Sequence, residues 1–133
     1  MSEATMTTDN ALIFPVGDMP CHPNDLEVSI EKLTEHLGDA AEAEALALFV
    51  QGCQAARRWR GFHLFDFLVE AEAAARQTGE STILNAPHGR IVLDQAFLRL
   101  RKKGLIRIEV EGPNRSFIGY PTPALVEQEG IAR

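Results

Sequence analysis

Residues 91–120 read IVLDQAFLRLRKKGLIRIEVEGPNRSFIGY, and the fold follows from the point where the periodicity of this stretch changes. Leu93, Ala96, Phe97 and Leu100 stand at i, i+3, i+4 and i+7, the spacing that gathers side chains on one face of an α-helix. Arg101, Lys102 and Lys103 follow, where cations meet the negative end of the helix dipole, and Gly104 supplies a cap. From there the period drops to two. LIRIEVE alternates apolar with polar, GPNR is a turn and SFIGY returns, so residues 105–120 are expected to form a β-hairpin. Pro121 and Pro123 end the pairing.

Upstream, the pattern is helical. Leu26, Ile30, Leu33 and Leu37 share a face, with Gly38 at the C-terminal cap position. Asp39 and Glu42 have the spacing of a capping box, in which the aspartate accepts from early backbone N–H groups and the glutamate reaches back. A second helix is expected from there to about Arg60, with Leu46, Phe49, Val50, Cys53 and Ala56 on its inner stripe. Gly52 is a weak point of this helix, explained by close approach of a neighbouring helix. A third helix is expected over 62–78, its broad apolar face made by Phe62, Phe65, Leu68, Val69 and Ala73, and Gly79 stopping it. The third helix is expected to be the most buried. Between residues 80 and 90 a short β segment, Ser81 to Leu84, and a turn around Asn85, Pro87 and Gly89 are expected. The whole reads as a mainly α (α+β) chain: a flexible arm over 1–24, one helical domain over 25–125 and a tail over 126–133.

With 133 residues, 45% of them hydrophobic and 24% charged, the composition is that of a globular protein with a core of its own. No apolar run approaches the roughly eighteen residues that read as a membrane span, and the N-terminus lacks a basic start leading into an apolar core. Cys21 and Cys53 form neither a disulfide framework nor a spaced metal pair, so a reducing cytoplasm is the expected location. The net charge of −6 is unevenly spread. Residues 1–56 carry ten acids against Lys32 alone, a segment charge of −9. Residues 84–120 carry seven bases against Asp94, Glu109 and Glu111, giving +4. Such a chain does not coat nucleic acid indiscriminately, but its C-terminal half has a footprint suited to phosphate.

At residues 97–120, FLRLRKKGLIRIEVEGPNRSFIGY, the chain resembles the recognition helix and wing of the winged helix-turn-helix superfamily. The resemblance covers roughly residues 83–123. It implies a winged-helix unit in which Gln95, Leu98, Arg99 and Lys102 face a major groove while Arg107 and Arg115 of the wing reach phosphates. With the neighbouring cations, the nucleic-acid-binding candidates are Arg90, Gln95, Arg99, Lys102, Lys103, Arg107 and Arg115. A full positioning helix has little room between residues 80 and 90. Either it is reduced to a turn near residues 86–89, or the helix starting at Phe62 takes its place.

Each candidate also has a plainer explanation. A cationic last turn complements the helix dipole whether or not phosphate is present. Asp94 repels a phosphate, although an acid can accept from a cytosine amine. Ile91 and Leu98 lie off the inner stripe, as suits a helix that touches another protein, and they are the protein-interface candidates. RRWR at 57–60 interleaves an aromatic with cations in the manner of base-stacking sites. A Trp at the end of an apolar helix, however, is more commonly a core plug. His22, His36, His63 and His88 show no ligand spacing with the cysteines, and neither a phosphate loop nor a nucleophile elbow occurs. No cofactor, no metal and no enzymatic activity are therefore expected. Two functions stay open: a DNA-binding transcriptional regulator, and a winged helix used for protein contact, such as a phage or accessory inhibitor. A homodimer is compatible with either.

Overall fold

The computed structural model describes residues 22–56, 61–79 and 83–131. The expected arm up to residue 21, the RRWR stretch at 57–60 and the start of the expected strand at 81–82 lie outside the described residues. A 3-10 turn, Pro23–Asp25, leads to α1 (Ile30–Leu37), α2 (Ala40–Ala56), β1 (Phe62–His63), α3 (Leu64–Thr78), α4 (Gly89–Lys102), β2 (Ile106–Glu111), β3 (Ser116–Pro121) and α5 (Pro123–Val126). The described residues are mainly helical, with a three-stranded antiparallel sheet in the order β1-β3-β2.

Local chemistry explains most boundaries. Ser29 caps α1, its Oγ accepting from Lys32 N at 3.2 Å, and Gly38 ends it in the left-handed region at φ 75°. Asp39 opens α2 by accepting from Glu42 N at 3.0 Å. Around Gly104 the Leu105 N–H reaches the Leu100 carbonyl at 3.1 Å, closing α4 as a six-to-one turn before the hairpin begins. The hairpin register pairs Ile106 with Pro121 and Glu111 with Ser116. Thr122 caps α5, and its hydroxyl donates to the Gly104 and Leu105 carbonyls, tying the last helix to the end of α4. Ile131 is buried, and residues 130 and 131 accept from Ser29 N and Glu27 N.

The core is built around α2. Ten of its residues are buried, against Leu64, Leu68 and Ala75 of α3, so α2 and not α3 is the most buried helix. Phe65 and Val69 of α3 face solvent instead, 44% and 57% exposed. The expectation failed because an apolar face shows only what a helix can bury, not how many neighbours it meets. The inner side of α4 matches its stripe: Leu93, Ala96, Phe97 and Leu100 are buried.

Phe62 begins a strand rather than a helix. It pairs with Gly119, and its ring makes edge contacts with Phe49 at 5.0 Å and Phe67 at 5.7 Å. Two glycines make these contacts possible. A Cβ on Gly52 would lie 2.3 Å from the Phe62 ring, and one on Gly119 would lie 2.9 Å from the Phe49 ring. Gly52 is therefore explained by an aromatic ring delivered by β1, not by a neighbouring helix. Ile83 and Leu84, expected in a strand, sit in a turn that holds Ile83 N against Glu44 Oε2 at 3.0 Å. The β1 segment occupies the sheet edge. Residues 83–88 contain no helix, so among the described residues α3 is the helix that precedes α4.

Candidate interaction face

Helix α4 turns one side to the core and the other outward. Its N-terminus is seated by Gly89, where a Cβ would lie 1.7 Å from the Ile83 carbonyl oxygen, so the helix begins almost in contact with the preceding turn. The outward side carries Ile91 and Leu98, each 57% exposed, with Val92, Asp94, Gln95, Arg101 and Lys102. Gln95, Leu98, Arg99, Arg101 and Lys102 line one open depression. The two protein-interface candidates and Gln95 and Lys102 of the nucleic-acid candidates therefore share a face.

Of the other cations, all but Arg115 are engaged. Arg99 Nε donates to Glu42 Oε2 at 2.8 Å, and Lys103 Nζ donates to Glu42 Oε1. A second guanidinium nitrogen of Arg99 lies 3.8 Å from Asp39 Oδ2. Glu42 is 5% exposed. Burial pushes its pKa up, but the hydrogen bonds and charges of Lys103 and Arg99 outweigh this and hold the carboxyl below the usual glutamate range. In the capping box, Asp39 does cap; Glu42 does not reach back, because its carboxylate is taken by α4.

Arg90 lies over the Phe65 ring at 5.6 Å, and its Nε is buried without a hydrogen-bond partner. Phe65 in turn meets Phe117 of β3 edge-on at 5.0 Å, joining the starts of α3 and α4 to the hairpin. Arg107 stacks over Tyr120 at 4.5 Å, opposite it in the β2–β3 register, and its Nε is 3.5 Å from Glu109. The Tyr120 hydroxyl donates to Glu111, and burial together with that carboxylate pushes the phenol pKa up. Arg115 stands in the exposed turn 112–115, in the left-handed region at φ 53°.

The structure thus brings Gln95 and Lys102 together with Arg101, places Arg115 at the hairpin tip, and ties Arg99, Lys103, Arg90 and Arg107 to protein groups. Glu42 was missed as anything more than a capping residue. The available signal was the i, i+4 spacing of Arg99 and Lys103, which puts both on one side of the helix and suits a shared anion. Among the described residues no group of His, Cys, Asp and Glu could hold a metal ion, and no helix is long and apolar enough to cross a membrane. No family model matches the chain, and comparison with curated proteins and with solved structures returns no match.

Proposed function

We propose that this chain is a winged-helix domain that binds duplex DNA as a regulator, with α4 in the major groove and the β2–β3 hairpin as its wing. The order helix, strand, helix, helix, strand, strand over α2, β1, α3, α4, β2 and β3 supports the fold reading, as does the β1-β3-β2 sheet. In this reading α3 takes the positioning role, although the connection 79–88 is longer than the roughly three to four residues of a minimal helix-turn-helix. Fold alone does not assign use. The observation that carries the DNA reading is the outward group Gln95, Arg101 and Lys102. Both cations are exposed and have no ion pair among the described residues. Arg115 at the hairpin tip adds a third such cation. An amide that can read a base edge beside cations that can meet phosphate is what groove recognition needs.

Titration of a fluorescent duplex of arbitrary sequence between 50 and 200 mM salt tests this. Binding should weaken as salt rises, and Arg101→Gln, Lys102→Gln and Arg115→Gln should each lower the log–log slope by about 0.9. Absence of binding at 50 mM salt sinks the proposal.

A protein-contact module is the second reading, favoured by the exposed Ile91, Val92 and Leu98 on the same helix as Asp94. Under it, sedimentation should show self-association, or affinity capture a stoichiometric partner, and Leu98→Asp should abolish either.

A further inference from the structure

We infer that Glu42 is a positioning residue that withholds Arg99 and Lys103 from polyanions and so sets how many cations α4 presents; its meaning for DNA rests on the function proposed above. Glu42 is the one charged residue buried among the described residues, and both its carboxylate oxygens are used: Oε2 by Arg99, Oε1 by Lys103. Arg99 on α4 and Lys103 at its C-terminal cap stand one turn apart, so a single carboxylate at the start of α2 engages both. Asp39 reinforces the arrangement from the same turn of α2, capping Glu42 N with Oδ1 and facing Arg99 with Oδ2.

Burial is one-sided. The carboxylate is nearly closed off, whereas the Arg99 and Lys103 side chains remain 42% and 43% exposed. Either cation therefore needs only to leave Glu42, without unfolding α4, to meet a phosphate. What holds them is attraction to a partly desolvated anion, which is stronger than to one in water. Glu42 thus leaves Arg101 and Lys102 as the cations of the last turns open to solvent. A basic helix end that would otherwise bind any phosphate chain with four charges is left with two, favouring contacts that also use Gln95 and the wing.

Heparin chromatography and arbitrary-duplex titration of Glu42→Gln test the inference, with Glu31→Gln on the exposed face of α1 as the control of equal net charge. Glu42→Gln should elute from heparin at higher salt than Glu31→Gln, and its duplex-binding slope should steepen by between about one and two. Adding Arg99→Gln and Lys103→Gln to it should restore wild-type elution. The reciprocal variant, Arg99→Gln with Lys103→Gln in the wild-type background, does not require Glu42→Gln to fold. It should leave elution unchanged, while Arg101→Gln with Lys102→Gln lowers it. Co-elution of Glu42→Gln with Glu31→Gln, or earlier elution of the Arg99/Lys103 variant by as much as the Arg101/Lys102 variant, overturns the inference. If Glu42→Gln shifts on heparin while wild-type protein ignores duplex DNA, the charge mask stands and the DNA reading falls.

Discussion

Arg99 and Lys103 differ from Arg101 and Lys102 only in which way a helix turns them, yet the first pair is drawn to a buried carboxylate and the second faces water. Four cations within five residues look like one basic patch. They are two sets: one joins α4 to α2, and the other is free to meet a partner. A charge sum along the sequence overstates the footprint of the helix, because it counts cations already neutralised by an anion far away in the chain.

The largest way to break this division is to unseat the helix. Gly89→Ala puts a Cβ where the Ile83 carbonyl oxygen lies, and backbone cannot yield as a flexible side chain does. Urea unfolding should show a loss of roughly 3 kcal/mol or more. Next comes the contrast between core and face: Leu100→Ala, at a fully buried position, should cost about 2–5 kcal/mol, and Leu98→Ala, on the open face, within about 0.5 kcal/mol.

Glu42→Gln sharpens the comparison itself. Truncating one partner of a buried pair can cost about 3–5 kcal/mol, but here the cations left behind are half-exposed and regain water, so about 1–2 kcal/mol is expected at neutral pH. The effect should depend on pH with a definite sign. Because the folded-state pKa of Glu42 is depressed, its stabilisation is fully present above the unfolded value of about 4.3 and is lost as pH falls through the folded value. Thermal melts of the two proteins should therefore converge on acidification below about pH 4; a gap that stays constant there would assign the cost to packing. The smallest effect is expected for Arg101→Gln with Lys102→Gln, where stability should move by less than about 0.5 kcal/mol by urea unfolding.

Much of the fold was legible because its signals are local. The α4 stripe and the period change at Gly104 are written within one segment, as are the caps at Gly38 and Gly79. Strand β1 was not legible. Two residues show no alternation, and Phe62 joins the sheet because Gly52 and Gly119, distant in sequence on either side, leave room for its ring and that of Phe49. The exposure of Phe65 and Val69 was hidden for a related reason: the third helix has a broad apolar face, but it is α2 that other elements surround. Of the candidate site, Ile91, Leu98, Gln95 and Lys102 could be placed on the outward face from helical geometry. The engagement of Arg99 and Lys103 could not, since nothing in residues 89–104 reveals their anion.

The sequence by itself determined that residues 91–120 form a helix and a hairpin, which side of that helix faces the core, and that its end is rich in positive charge. Hydrophobic period and capping chemistry act over a few residues and can be read from them. Only the tertiary structure decided which of those charges remain available. That choice depends on Glu42, 57 residues before Arg99, being buried beside it, and a pairing across that distance exists only once α2 and α4 have packed.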